Sequence, residues 1–198
     1  VDHKMTKLVS TKEEATPLCT GKTTPLGFLC RRRHFPTFDA MVLTLNEVDS
    51  SVEVISDVMN DHITSYEGCL HQHISPGSRG AKSLILLGTL LDANPVVVEY
   101  DNFRIFHQAC DYLRGELGIS VLSLFLSKNG TGIKSFINGS LPIHNAAQRS
   151  CLEVVKFLHK AYPESISMLD GKGRSLLHYA AYDNTSDIAV IAKVQYIC

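Results

Sequence analysis

Two stretches of the chain are near copies of each other: GSLPIHNAAQ at residues 139–148 and GRSLLHYAAY at residues 173–182. Aligned without a gap, they share Gly, His, Ala and Ala at the same places, 34 residues apart. A fixed period of roughly 20 to 50 residues is typical of stacked repeat units. The period therefore indicates a repeat architecture before any local signal is considered.

The histidine of this motif has counterparts upstream. An apolar residue followed by His and a polar residue also marks His71 and His107, so the markers His71, His107, His144 and His178 are 36, 37 and 34 residues apart. After His144 a short polar break leads into LEVVKFLHKAYP, whose apolar residues fall on one face of a helix. Each unit is therefore predicted to contain a helix, a tight turn, a second helix and a loop. Stacked units would share one hydrophobic core.

The repeat resembles the ankyrin repeat, whose unit of about 33 residues opens its first helix with a T-P-L-H-x-A signature. The resemblance covers residues 21–198 and is most specific in the last two units. It implies an all-α, ankyrin-like α-solenoid of about five helix-turn-helix repeats, the first degenerate. Residues 1–20 form an N-terminal segment, and the approximate units are 21–60, 61–98, 99–135, 136–169 and 170–198.

Departures from the signature lie mainly in the earlier units. The first unit keeps Thr24-Pro25-Leu26 but has Gly27 in place of His, and its second helix is read as SSVEVISDVMN at residues 50–60. In the family a hydroxyl at the Thr position bonds the His side chain, and only Ser175 offers one among the His-marked units. The other histidines must therefore find other partners. The residues given structural roles by the motif are His71, His107, Pro142, His144, Ala146, Ala147, Gly173, Ser175, His178, Ala180 and Ala181.

Motifs for metal, nucleotide or catalytic chemistry are weak. Cys69, His71 and His73 lack zinc-ligand spacing. The stretches NGTGIKS at 129–135 and PGSRGAKS at 76–83 separate Gly from Lys by one residue, unlike a phosphate loop. No HExxH, GxSxG or paired-carboxylate motif occurs in the sequence. We therefore expect no cofactor, no bound metal and no enzymatic activity in this chain.

Composition places the chain among ordinary globular proteins, with 44% hydrophobic residues and a formal net charge of −1. This charge does not favour a nucleic-acid partner, and Arg31-Arg32-Arg33 is read as a solvated loop. Apolar runs are too short to span a bilayer. Six cysteines without a CxxC pair indicate reduced, mostly buried thiols. Together these features predict an intracellular, cytoplasmic protein.

The resemblance implies a protein-protein interaction module that binds a protein partner through the concave face and turn tips of the stack. Tyr and Arg are the side chains that most often anchor interfaces. The alternative is a regulatory repeat region of a larger enzyme or signalling protein whose catalytic domain lies outside this chain. A hydrolase using one His and one Cys of the chain is a weaker alternative. The predicted contact residues are Tyr100, Phe103, Asp111, Tyr112, Ser140, Gln148, Arg149, Gly171, Lys172, Arg174, Tyr182 and Asp183.

The C-terminal stretch SDIAVIAKVQYIC at 186–198 has more apolar residues than one buried stripe needs. Terminal units of repeat stacks normally carry a polar outer face. We therefore expect that further units or a capping helix follow Cys198, or that a partner or a second copy buries this surface by self-association.

Overall fold

The computed structural model describes residues 52–64, 79–183 and 186–198, and within these ranges every regular element is helical. Three short 3-10 helices, Pro95–Val98, Gly130–Lys134 and Pro163–Ser167, follow α2, α4 and α6. The α-helices in chain order are α1 Val52–Thr64, α2 Arg79–Ala93, α3 Tyr100–Tyr112, α4 Gly115–Lys128, α5 Pro142–Arg149, α6 Leu152–Ala161, α7 Leu176–Ala181 and α8 Asp187–Ile197.

The helices pack in two rows. In the first row α1 packs on α3, α3 on α5, and α5 on α7. In the second row α2, α4, α6 and α8 pack successively on one another. This layering is what the repeat pattern predicts, because each helix pair buries its apolar face only against its neighbours. The all-helical architecture expected from the sequence is therefore confirmed, whereas the number of units stays a prediction.

Local sequence explains where the helices of the fourth and fifth units begin. Pro142 occupies the first turn of α5, where its missing N–H costs nothing because no intrahelical partner exists there. Ser186 precedes α8, and its hydroxyl accepts a hydrogen bond of 3.3 Å from the Ala189 N–H. In α6 the apolar spacing brings Val154, Val155 and Leu158 into the core. The prediction that Leu158 lies on the buried face of its helix is confirmed.

The position of helix α1 in the stack differs from the sequence-based prediction. SSVEVISDVMN was read as the second helix of unit one, but α1 packs against α3 in the first row and precedes α2 as its pair. Its Ile55, Met59 and Ile63 recur every four residues and are buried. The search for repeats relied on histidine markers, and α1 carries none at the equivalent place. His71 and residues 21–51 lie outside the described residues, so the unit boundaries remain predictions.

The third unit begins differently from the next two. Asp101, Asn102 and Phe103 have left-handed backbone, with φ of 50°, 55° and 62°, and the right-handed helix continues from Arg104. Non-glycine residues rarely adopt this region, so the turn must be held by its surroundings. Asn102 donates from Nδ2 to the Phe136 carbonyl over 2.7 Å. This bond links the turn to Phe136, the residue that precedes the Ile137–Ser140 hairpin of the fourth unit.

The structure bears on two expectations from the sequence, which concern membrane-spanning helices and the cysteines. None of the helices in the described ranges combines the length and apolar character needed to cross a membrane. The described cysteines Cys110, Cys151 and Cys198 are unpaired thiols, but only Cys110 is buried, whereas Cys151 is partly buried and Cys198 is exposed, so the expectation of mostly buried thiols does not hold for these three. Burial, together with the nearby Asp111 charge, raises the pKa of the Cys110 thiol well above its usual value.

Candidate interaction surface

Stacked turns form the tips of the fourth and fifth units. Ile137 and Ser140 exchange two backbone hydrogen bonds of 3.1 and 2.9 Å, which close a hairpin through Asn138 and Gly139. The Gly171 N–H donates to the Gly139 carbonyl over 2.8 Å. A Cβ built on Gly139 would lie 3.1 Å from the Gly171 backbone, and Gly139 has a φ of +80°. Only glycine meets both conditions, so neighbouring tips contact backbone to backbone.

The motif histidines His144 and His178 fasten α5 and α7 to the residue that precedes each helix. Leu141 N–H donates to Nδ1 of His144 over 3.1 Å, so Nε2 carries the proton and donates to the Met168 carbonyl over 3.2 Å. Burial lowers the pKa of His144. At His178, Nδ1 lies 3.1 Å from the Ser175 nitrogen and 2.8 Å from the Ser175 hydroxyl. The expectation that Ser175 supplies the hydroxyl partner of His178 is confirmed.

His107 and Ser135 form a second His–Ser contact, with Nε2 3.1 Å from the Ser135 hydroxyl oxygen. Asn145 Nδ2 donates to His107 Nδ1 over 3.3 Å, which leaves the ring proton on Nε2. The Ser135 hydroxyl in turn donates to the Gly132 carbonyl over 2.6 Å. A base that activates a serine must accept its proton, and here the donation runs the other way. Burial lowers the pKa of His107 to about 4, so the network holds a neutral ring.

A hydrogen-bonded cluster around Asp170 shapes the tip of the fifth unit. One carboxylate oxygen accepts from the N–H groups of Lys172 and Arg174, each over 2.8 Å. The other accepts from Arg174 Nε and the Tyr179 hydroxyl, each over 2.7 Å. Burial alone would raise the pKa of Asp170, but these bonds outweigh it and hold that pKa far below the usual range. The Ser140 hydroxyl lies 2.7 Å from the Tyr179 oxygen and joins the same cluster.

The predicted contact residues lie in two places. One group is at the tips, and the other is at the C-terminal ends of the first-row helices, where Asp111, Gln148 and Tyr182 each follow a motif histidine by four residues. We call these three residues the helix-end column. Exposed members of the predicted set are Tyr100, Arg149, Gly171, Lys172 and Tyr182. Partly buried members are Phe103, Asp111, Tyr112, Gln148 and Arg174.

Two predicted contact residues are occupied internally. Ser140 is 8% exposed and its hydroxyl is engaged by Tyr179. The Asp183 side chain is fully buried and forms an ion pair of 2.6 Å with Lys193 Nζ. Lys193 is itself fully buried and donates a second bond of 3.0 Å to the Ala147 carbonyl. Lys193 therefore joins α8 to α5 through Ala147 and to the end of α7 through Asp183.

Sequence reasoning missed several exposed apolar residues next to the predicted set. Phe136, Leu169 and Leu177 are 42%, 56% and 36% exposed, and the first two flank the tips. Their apolar type predicts burial, so composition gives no sign of exposure. Their position in the sequence would have indicated exposure, because Phe136 and Leu169 each lie within three residues of a turn glycine and turns lie on the surface.

A comparison with protein families connects this geometry to known proteins. Residues 137–180 match the family described as ankyrin repeats (many copies). The matched stretch begins in the Ile137–Ser140 hairpin, includes α5 and α6, and ends in α7, so it contains both His144 and His178. No match to the chain was found among curated proteins or among solved structures.

Proposed function

We propose, from the premise that residues 137–180 consist of ankyrin repeats, that the chain is an interaction module whose turn tips and helix-end column bind a protein partner. Ankyrin repeats generally serve as protein-interaction modules. They are helical repeats in which a uniform core carries a variable surface. The premise therefore gives the class of function, and the residues of the surface are our proposal.

The observation that most supports this surface is a contrast between two columns of the same helices. Two residues after His107, His144 and His178, the side chains are small and fully buried: Ala109, Ala146 and Ala180. Four residues after it, the helix-end column has an acid, an amide and an aromatic side chain. Packing therefore holds the scaffold constant while the column changes chemistry, as a recognition surface requires. Ser140 and Asp183 are left out of the proposed surface because their side chains are engaged within the fold.

Tyr182 is the strongest anchor on this surface, since it is 66% exposed and borders the last first-row helix. We expect Tyr182→Ala to weaken binding of the partner at least tenfold, about 1.4 kcal/mol or more. The partner is first recovered by affinity capture from the source cells, identified, and purified. Its Kd is then measured by calorimetry for the wild type, for Tyr182→Ala, and for Lys160→Ala on the second row as the matched control.

Both variants alter exposed residues, so their thermal midpoints are expected to match the wild type. The proposed surface is refuted if Lys160→Ala weakens binding as much as Tyr182→Ala does. It is also refuted if Tyr182→Ala and Lys172→Ala each leave the Kd unchanged, because the partner must then bind elsewhere on the molecule.

A second copy of the chain is the other partner that we propose, at the solvent-facing side of α8. Ile188 and Ile191 are 81% and 54% exposed there, whereas Val194 is partly buried. We expect concentration-dependent self-association, and expect the double variant Ile188→Glu/Ile191→Glu to sediment as a monomer. The control is Ile85→Glu on α2, a comparably exposed isoleucine at 57%. A wild-type chain that stays monomeric across the concentration range, or an equal effect of the control, rules this contact out.

A further inference from the structure

A glycine directly follows an asparagine or aspartate at three places in the sequence, Asn129-Gly130, Asn138-Gly139 and Asp170-Gly171. Such pairs share a reactive chemistry. Glycine has no side chain to shield its main-chain nitrogen, so this nitrogen can attack the side-chain carbonyl carbon of the preceding residue and close a five-membered succinimide ring. The reaction requires a side chain that is free to turn toward the main chain and a glycine N–H that is not held elsewhere.

Two of the three pairs are restrained by hydrogen bonds. The Asn129 Oδ1 accepts from the Thr131 N–H and hydroxyl over 2.8 and 2.6 Å, and its Nδ2 donates to the Glu99 carboxylate over 2.6 Å. The Asp170 carboxylate accepts four hydrogen bonds, and the Gly171 N–H already donates to the carbonyl of the neighbouring turn over 2.8 Å. In each of these pairs at least one reacting group is therefore held in place.

The Asn138-Gly139 pair lacks both restraints. The Asn138 side chain is exposed, and among the described residues no group forms a hydrogen bond with it. The hairpin is closed by bonds between Ile137 and Ser140, which leaves the Gly139 N–H without an acceptor in the described ranges. Asn-Gly favours this two-residue turn because both residues must have a positive φ, here 52° and 80°. The preference that builds the turn therefore also places a reactive pair at its tip.

We propose that Asn138 is a site of spontaneous deamidation, so that this hairpin is chemically modified as the protein ages. Hydroxide removes the Gly139 amide proton, and the nitrogen attacks the Asn138 Cγ. The new N–Cγ bond closes the ring as the Cγ–Nδ2 bond breaks and ammonia leaves. Water then opens the ring at either carbonyl carbon, which gives aspartate or isoaspartate in place of Asn138. One water is consumed and one ammonia is released, and no oxidant or reductant takes part.

The two products differ in their effect on the tip. Aspartate leaves the main chain intact, adds one negative charge and tolerates the left-handed conformation that Asn138 has. Isoaspartate routes the main chain through the side-chain carbon, so the turn gains one methylene between Ile137 and Gly139. The Gly139 carbonyl, which accepts from the Gly171 N–H, is then displaced. Isoaspartate formation therefore uncouples the tips of the fourth and fifth units.

Selective deamidation is measured on the folded chain, incubated in ¹⁸O-labelled water and analysed by peptide mapping with electron-transfer mass spectrometry. The label enters with the water that opens the ring, so it marks modification during the incubation. We expect Asn138 to convert at least tenfold faster than Asn129, to form both products, and to react faster as the pH rises, because the attacking nitrogen must lose its proton. In urea, where the hydrogen bonds of Asn129 are lost, the two rates are expected to become nearly equal.

Two variants separate the hydrogen bonds from the local sequence. Glu99→Ala/Thr131→Ala removes two of the three bonds that hold the Asn129 side chain, and is expected to raise the deamidation rate of Asn129 toward that of Asn138. The matched control is Thr89→Ala, which removes an exposed side-chain bond of 3.0 Å to the Ile85 carbonyl on α2 and is expected to leave both rates unchanged. These residues are at the surface, so the thermal midpoints are expected to match the wild type.

The effect on the tip is measured at the Gly171 amide, whose hydrogen bond to Gly139 slows its exchange with solvent. Ion exchange separates the isoaspartate form, and hydrogen exchange is expected to show that its Gly171 amide loses protection. Asn138→Asp carries the same charge on an unaltered main chain and is expected to keep that protection.

The inference is overturned if Asn138 and Asn129 deamidate at equal rates in the folded chain, or if Asn138 stays intact there while the chain in urea is converted. Equal protection of Gly171 in the isoaspartate form and in Asn138→Asp would also contradict it, because the lengthened turn would then leave the contact between the tips unchanged. None of these measurements requires a binding partner, so the proposed function is tested separately.

Discussion

Replacing Lys193 with Met is expected to lower the free energy of unfolding by about 3–5 kcal/mol, the largest effect of any single substitution proposed for this chain. The side chains of Lys193 and Asp183 are both fully buried. Removing the ammonium leaves the Asp183 carboxylate buried without its cation and the Ala147 carbonyl without its side-chain donor. Urea unfolding followed by circular dichroism at 222 nm measures the loss as a lower midpoint at unchanged m-value.

Two controls accompany the Lys193 measurement. Lys160→Met makes the same chemical change on the exposed side of α6 and is expected to shift stability by less than about 0.5 kcal/mol. The double variant Lys193→Met/Asp183→Asn also removes the buried carboxylate charge that Lys193 neutralises, and is expected to recover a large part of the loss. If the double variant is no more stable than Lys193→Met, or if Lys160→Met costs as much, the buried ion pair does not explain the effect.

Leu158→Ala is expected to cost about 2–5 kcal/mol, because truncating a fully buried leucine removes contacts and leaves a cavity. Leu158 belongs to α6, which packs on α4, α5 and α8. In a stack where each unit contacts only its neighbours, hydrogen exchange should show the greatest loss of protection in α4 to α8. Leu169→Ala, at a 56% exposed leucine, serves as the control and is expected to be nearly neutral. An equal loss of protection across residues 52–64 would contradict a stack with local coupling.

The repeat period predicted the later units well because its signals are local. A proline at the first turn, a histidine three residues after the cap position and apolar positions at helical spacing all act within one helix pair. His144, Ser175 and Leu158 accordingly have the roles that the pattern indicated. Helix α1 was placed in the wrong row because it carries apolar periodicity without a marker. Periodicity identifies a helix but does not say which neighbour covers its face.

The sequence predicted which residues lie near the surface, but it did not predict which of their side chains are engaged inside the fold. The repeat register located Tyr182, Lys172 and Arg149 on the outside, and the structure exposes all three. Ser140 has a comparable position, yet its hydroxyl is engaged by Tyr179, which lies 39 residues further along the chain. Lys193 is a stronger case, because a lysine in an apolar stretch predicts an exposed charge. Its partners are ten and 46 residues away, distances at which no local pattern operates.

The contact between Gly139 and Gly171 has a consequence for how such a surface can change. Because neighbouring turns are joined through main-chain atoms, the pitch of the tips does not depend on which side chains project from them. Asn138 has a φ of 52°, which few residues other than Gly, Asn and Asp adopt readily, whereas the exposed Lys172 beside Gly171 can be exchanged for other residues while the separation of the turns is preserved. On the proposed interaction surface, a substitution at Lys172 changes the side chain that a partner meets, and a substitution at either glycine changes the spacing of the tips. Specificity and geometry are thus encoded at adjacent but separate positions, so new binding preferences can arise without rebuilding the scaffold.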